Sequence, residues 1–109
     1  MAQNRRYIIA KSDDGNILGF AGIIVNPDIT EIMNIVVRKS YRQQGVGQKL
    51  LEELIRLAKK TGLETLDLEV NAMNFPAIHL YEKNGFEIIG RRSKYYHNIN
   101  DAILMQKLL

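Results

Sequence analysis

Residues Arg42-Gln43-Gln44-Gly45-Val46-Gly47 stand between a short β-branched run and an amphipathic stretch, and that placement gives them chemistry. The run before them, residues 31–37, has the character of a strand. The apolar residues after them, Val46, Leu50, Leu51, Leu54, Ile55 and Ala58, recur at helical spacing. A glycine-containing loop therefore opens a helix. The first amides of a helix have no acceptor within it, and the helix dipole adds positive charge, so the junction suits an anion. Glycine lets the backbone approach a ligand closely. A phosphorylated cofactor is the expected occupant.

Several loop types share these letters. A P-loop needs Gly-Lys-Ser/Thr at the helix start, and here Gly47 is followed by Gln48 and Lys49. A dinucleotide fingerprint needs a third glycine where Leu50 stands, although Glu69 is placed as its ribose-binding acid would be. The bland alternative is that Gly45 and Gly47 only shape a tight loop.

The pattern predicts strands over residues 5–11, 17–25, 30–37, 64–70, 86–90 and 102–108, and helices over 46–60 and 74–85. Ser12-Asp13-Asp14-Gly15-Asn16 supplies a hairpin turn, and Asn26-Pro27-Asp28 breaks the second strand. A Glu52–Arg56 pair supports the long helix and Gly62 stops it. Asn74 can cap the shorter helix, whose first turn tolerates Pro76. The fold expected is α/β (α+β): a mixed, mostly antiparallel sheet of about six strands with one central strand–helix–strand crossover. Strand 17–25 is apolar on both faces, with Ile17, Ala21, Ile23 and Val25 on one and Leu18, Phe20 and Ile24 on the other. It needs cover on both sides, and two helices give little.

A chain of 109 residues suits one domain, 1–109. The absence of cysteine excludes disulfides, thiolate metal sites and a cysteine nucleophile. His79 and His97 show no metal-ligand spacing, so no metal is expected. No segment reads as a signal peptide or a membrane span, so a cytoplasmic location is expected, with no membrane partner. The net charge of +3 does not require nucleic acid. Arg91, Arg92 and Lys94 beside Tyr95 and Tyr96 could track a single strand. The simpler reading is an exposed strand end, and no nucleic-acid partner is expected.

Arg42, Gly45 and Gly47 match the Gln/Arg-x-x-Gly-x-Gly/Ala cofactor loop of the GNAT superfamily of acyl-CoA-dependent N-acetyltransferases, which this sequence resembles. Asn74-Phe75-Pro76-Ala77-Ile78-His79-Leu80-Tyr81-Glu82-Lys83-Asn84-Gly85-Phe86 matches that family's Asn, Ala-x-x-Leu-Tyr and Gly-Phe pattern. The likeness runs from Ile17 to the C-terminus. It implies acetyl-CoA (coenzyme A) as cofactor. Arg42, Gln43, Gln44, Gly45, Val46, Gly47 and Gln48 would hold its pyrophosphate. The backbone of a bulged strand at Ile35, Val36 and Val37 would meet the acetyl and pantetheine groups, with Asn74 and Tyr81 completing the site.

Within the superfamily the sequence is most similar to the ribosomal-protein alanine N-acetyltransferase branch. The likeness rests on Leu68-Glu69-Val70 before Asn74, Arg92, Tyr95-Tyr96, and Asp101-Ala102-Ile103-Leu104-Met105. That branch implies Glu69 as general base and Tyr81 as the acid that protonates the leaving thiolate. Two departures stand out. Asn71 occupies a position where the branch often has Arg, and the chain starts near the family's second strand. The first strand and two helices, which usually form one wall of the amine cleft, are expected to be absent, giving an N-terminally truncated fold.

Taken without the family, Glu69 could be a solvated strand residue, Tyr81 core filling and Asn74 only a cap. The function implied is transfer of an acetyl group to an amine, above all the N-terminal α-amine of a protein such as a ribosomal protein. Alternatives are a non-catalytic CoA-binding or interaction module, or an acetyltransferase for lysine or small-molecule amines. The uncovered face of strand 17–25 implies a homodimer or a partner chain.

Overall fold

The computed structural model describes residues 4–96 and 99–109. The elements follow as β1 (Asn4–Lys11), β2 (Ile17–Val25), β3 (Thr30–Val37), α1 (Val46–Lys59), β4 (Thr65–Asn71), α2 (Phe75–Lys83), β5 (Glu87–Tyr96) and β6 (Asn100–Leu108), with a single 3₁₀ turn at Lys39–Tyr41. They form a mixed sheet in the order β1-β2-β3-β4-β6-β5. The β3–β4 pairing is parallel and the other four are antiparallel. α1 makes the crossover that a parallel pair requires.

Burial alternates residue by residue along β4, so Leu66, Leu68 and Val70 face the core and Asp67 and Glu69 face away. Ala21, Ile23, Ile32, Ile103 and Met105 join them, covered by Leu50, Leu51, Leu54 and Ala58 of α1. On the opposite face, register places Tyr7 against Gly22 and Phe20 between Ile9 and Val36. Tyr7, Ile9, Phe20 and Val36 are all exposed there. The Tyr7 ring lies over Gly22, where an added Cβ would come within 2.9 Å of it. One apolar face of β2 is thus covered by α1, and the other is uncovered among the described residues.

Two expectations need correction. β5 runs on to Tyr96 instead of ending at Gly90. Its polar second half stays in the sheet through an irregular ladder in which Asp101 accepts from the Lys94 amide at 2.8 Å and from Arg91 Nε. Lys94 takes φ 52° at that irregularity. On α1, Arg56 pairs with Glu53 rather than Glu52. Glu52 instead accepts from Gln48 Nε2 at 2.9 Å. Among the described residues no helix is long and apolar enough to cross a membrane. His97 lies outside the described residues.

Candidate active site

β3 and β4 pair only at Glu31–Asp67 and Ile32–Leu68, then diverge. The divergence begins where β3 carries one extra residue: Ile23 faces Ile32 and Gly22 faces Asn34, which leaves Met33 as a bulge. The bulge therefore precedes the expected position at Ile35 to Val37. A bulge bends its strand and increases local twist, which turns the end of β3 away from β4. The Arg38 amide bonds the Leu18 carbonyl at 2.8 Å. Antiparallel alternation then points the backbone of Val36 at β2 and that of Ile35 and Val37 into the cleft beside β4. Val36, expected to offer its backbone to a ligand, offers it to Phe20 instead.

The loop leaving β3 ends on α1 at the mouth of this cleft. Gln43 and Gly45 both have positive φ, 62° and 84°. Gly45 is the N-cap of α1, no side chain caps it, and no acid stands in the first turn. The amides of Val46, Gly47 and Gln48 thus have no acceptor inside the helix. A Cβ at Gly45 would meet nothing within 4 Å, and one at Gly47 would make only ordinary contacts, 3.6 Å to Leu80 and 3.7 Å to Val37. Packing alone would admit a side chain at 47, so the bare backbone is space a ligand can use. The loop side chains are exposed, and two of them bond back to backbone carbonyls. Arg42 Nε donates to the Val37 carbonyl at 3.2 Å, and Gln44 Nε2 to the Ser40 carbonyl at 3.2 Å. Gln48 is tied to Asn84 and Glu52. The backbone amides that open α1 are the donors left for an anion.

α2 starts on the far side of the cleft. Asn71 Oδ1 accepts from the Met73 amide at 2.9 Å and Asn74 Oδ1 from the Ala77 amide at 3.3 Å, so both side chains build the turn and cap that aim α2. Tyr81 is buried in the core cluster with its ring edge-on to Phe86, centroids 5.6 Å apart. His79 is exposed.

Glu69 projects from β4 just past the last β3–β4 pair, on the face opposite α1. Its Oε1 accepts from Arg92 at 3.1 Å, and the Arg92 guanidinium lies 5.0 Å from the centre of the Tyr95 ring. Glu31 and Asp67 stand beside it. Burial pushes the Glu31 carboxyl above its ordinary value of 4.5; Glu69 and Asp67 add to the rise by repulsion, and Arg92 opposes it. Sequence reasoning missed Glu31, whose one signal is an acid inside an apolar run. It also missed the Arg92–Glu69 pair, which exists because β6 separates β4 from β5 by one strand. Arg91 and Arg92, two of the three cations of the basic cluster, engage Asp101 and Glu69. A hollow of about 350 Å³ lined by Asn4, Val25, Asn26, Pro27, Thr61 and Leu63 lies at the other end of the sheet, away from this cleft.

A splayed parallel strand pair with a glycine-capped helix at its mouth offers backbone amides to an anionic group beside an open cleft. The model of the acetyltransferase (GNAT) family matches residues 1–86, and the chain belongs to that family. It is 40% identical over 107 residues to the ribosomal protein bS18-alanine N-acetyltransferase of Escherichia coli K12, covering 94% of this chain and 72% of that one. The crystal structure of the Escherichia coli enzyme superposes with a TM-score of 0.83 at 39% identity, over 94% of this chain and 69% of that one. A Bacillus subtilis relative, provisionally given the same activity, is 36% identical over 100 residues, 91% of this chain, and the chain spans 66% of its length. A GNAT acetyltransferase from Elizabethkingia anophelis, solved with acetyl-CoA bound, matches with a TM-score of 0.84 at 27% identity, over 94% of this chain and 75% of that one. Acetyl-CoA is the cofactor of this family, and the uncapped amides of Val46, Gly47 and Gln48 with the cleft-facing backbone of Ile35 and Val37 fit it.

Two outcomes follow from this geometry. Acetyl-CoA at a hundred times its dissociation constant should add about 2.7 kcal/mol to stability. Gly45→Glu should abolish that gain, because a carboxylate would occupy the anion site. Thermal unfolding with and without acetyl-CoA measures both, each protein against its own apo form.

The second concerns Glu31. A carboxyl whose folded pKa is raised favours the folded state below its ordinary value of 4.5 and loses that contribution as pH climbs through the raised value. The ionised group is therefore a cost at neutral pH. Glu31→Gln should raise the melting temperature at pH 7, and the gain should shrink at pH 4. An equal gain at both pH values would contradict the assignment.

Proposed function

We propose that residues 1–109 act as one acetyl-CoA-dependent N-acetyltransferase domain whose acceptor is the N-terminal α-amine of a protein, with alanine-starting ribosomal protein bS18 as the first candidate. The single observation that supports this is that the α1 amides, the β3 backbone and Glu69 border one cleft, Glu69 beside its vertex and the α1 amides at its mouth. When bound, acetyl-CoA supplies an activated acetyl thioester with a thiolate leaving group.

The chain must supply the proton transfers. An α-ammonium has a pKa of roughly 8 and must lose a proton before it attacks. Glu69 takes that proton, directly or through a water. Its Oε1 is held by Arg92, and Oε2 is the oxygen that takes the proton. A cleft-facing N–H of Ile35 or Val37 stabilises the charge that develops on the acyl oxygen. Tyr81 gives its phenolic proton to the departing thiolate. The three carboxylates Glu31, Asp67 and Glu69 around one guanidinium favour a cationic acceptor over an acidic one.

Glu69→Gln and Tyr81→Phe should each lower turnover of a bS18 N-terminal peptide by roughly 10²-fold or more, with little change in acetyl-CoA affinity for Glu69→Gln. If both variants keep the wild-type rate, the roles are misassigned. A peptide array with labelled acetyl-CoA distinguishes an α-amine from a lysine or small-molecule acceptor.

We further propose a cytoplasmic location and a homodimer or partner chain over the uncovered face. The exposed Tyr7, Ile9, Phe20 and Val36 support such an association. The same face supports a second reading, a CoA-binding interaction module without turnover, which an acetylation assay separates from the first. Light scattering at low micromolar concentration should show an assembly larger than one chain. A well-folded monomer would refute it.

A further inference from the structure

Tyr81 is the only fully buried side chain of α2, so apolar packing by itself fixes that helix weakly. A polar network does more. Asn84, the C-cap of α2, and Gln48, in the first turn of α1, face each other as a reciprocal amide pair. Gln48 Nε2 donates to Asn84 Oδ1 at 2.8 Å, and Asn84 Nδ2 donates to Gln48 Oε1 at 2.8 Å. The second proton of Asn84 Nδ2 goes to the Leu80 carbonyl at 2.8 Å, and that of Gln48 Nε2 to Glu52 Oε2 at 2.9 Å. Every amide proton of the pair is donated, and the carbonyl and carboxylate acceptors fix which way each amide points. A partly buried network this well satisfied holds one geometry.

Its two ends matter. Gln48 follows Gly47, so its own backbone amide is one of the three that open α1. Asn84 lies one turn after Tyr81, and the Tyr81 carbonyl accepts from the Asn84 and Phe86 amides at 3.0 and 3.1 Å. Phe86 also braces the Tyr81 ring. We propose that the Gln48–Asn84 pair is a positioning clamp that couples the anion-binding turn of α1 to Tyr81, so that cofactor and acid share one geometry. This rests on the acetyltransferase reading of the same cleft. The two side chains bond to each other, to the Leu80 carbonyl and to Glu52, so the pair acts through the elements it joins.

The test compares Gln48→Met, Asn84→Leu, their double variant and the exchanged pair Gln48→Asn/Asn84→Gln with wild type. The readouts are kcat on a bS18 N-terminal peptide, acetyl-CoA affinity by calorimetry, and hydrogen exchange in α2. Each single variant should lose about 10- to 100-fold in kcat, as expected for a small misplacement. Acetyl-CoA affinity should change by less than about threefold, because the backbone amides remain. The double variant should be no worse than either single one, and the exchanged pair should recover part of the rate. A merely structural pair would lower melting temperature and leave kcat unchanged well below it; that result overturns the proposal. Gln48→Met conserves volume and keeps the comparison valid if Asn84→Leu fails to fold.

Failure of the reaction is distinguishable from failure of the clamp. If wild type binds acetyl-CoA but acetylates no peptide, the proposed reaction falls. The clamp is then read from α2 amides, which acetyl-CoA should slow in wild type and not in Gln48→Met. Equal slowing in both proteins overturns the clamp. A wild type that binds no acetyl-CoA overturns both.

Discussion

Everything at this site depends on two parallel strands that are joined at one end and apart at the other. β3 is held to β2 as far as Val37, and β4 is held to β6 along its whole length, yet they meet each other at only two registered pairs. Each strand follows its own antiparallel partner, and the Met33 bulge adds twist at the point where they part. Parallel strands also run their C-terminal ends to the same side. The crossover to α1 and the turn to α2 therefore both leave from the wide end, and both helix starts are delivered there. The core secures this from below. Leu50, Leu51 and Leu54 of α1 are buried against Ile32 and Leu68, the residues at the vertex of the cleft.

The architecture is legible in the sequence because periodicity and turn chemistry are local. β2 and β3 occupy the residues that their apolar patterns mark, and Asn74 caps α2 as its position before Pro76 requires. What was not legible is non-local. The second half of β5, Arg91 to Tyr96, lacks the apolar pattern that marks residues 86–90 and reads only as an exposed strand end, but Asp101 on the neighbouring strand supplies the hydrogen bonds that keep it in the sheet. Arg56 had two acids in reach and took Glu53, because Gln48 is oriented by Asn84 and occupies Glu52. No spacing rule sees a partner on another helix.

The same division runs through the site. Gly45 is conspicuous in sequence because a left-handed N-cap needs glycine, and its neighbours need only present amides. The side chains of Arg42 and Gln44 spend their hydrogen bonds on the loop itself. A site of this kind is robust to side-chain replacement and sensitive to backbone conformation. The proposed base and acid are the reverse. Glu69 and Tyr81 sit on different elements, β4 and α2, and neither would be conspicuous without the family pattern, since a strand acid and a helix tyrosine have ordinary structural uses.

Charge completes the separation of roles. The chain is basic overall, with a net charge of +3, yet three acids, Glu31, Asp67 and Glu69, share one patch with Arg92 at the cleft. The two fields lie on different surfaces: positive partial charge from the start of α1 suits phosphate at the mouth, and the carboxylates beside β4 suit a cationic group. Reversing either would set like charges together. The raised pKa of Glu31 reflects burial first and the crowding of Glu69 and Asp67 second, and the Arg92 bridge to Glu69, braced against Tyr95, sets a cation among the three acids. Removing that guanidinium would leave the proposed base to share its patch with two other carboxylates, so Arg92 belongs to the chemistry of the site although it lies on a strand that never borders the cleft.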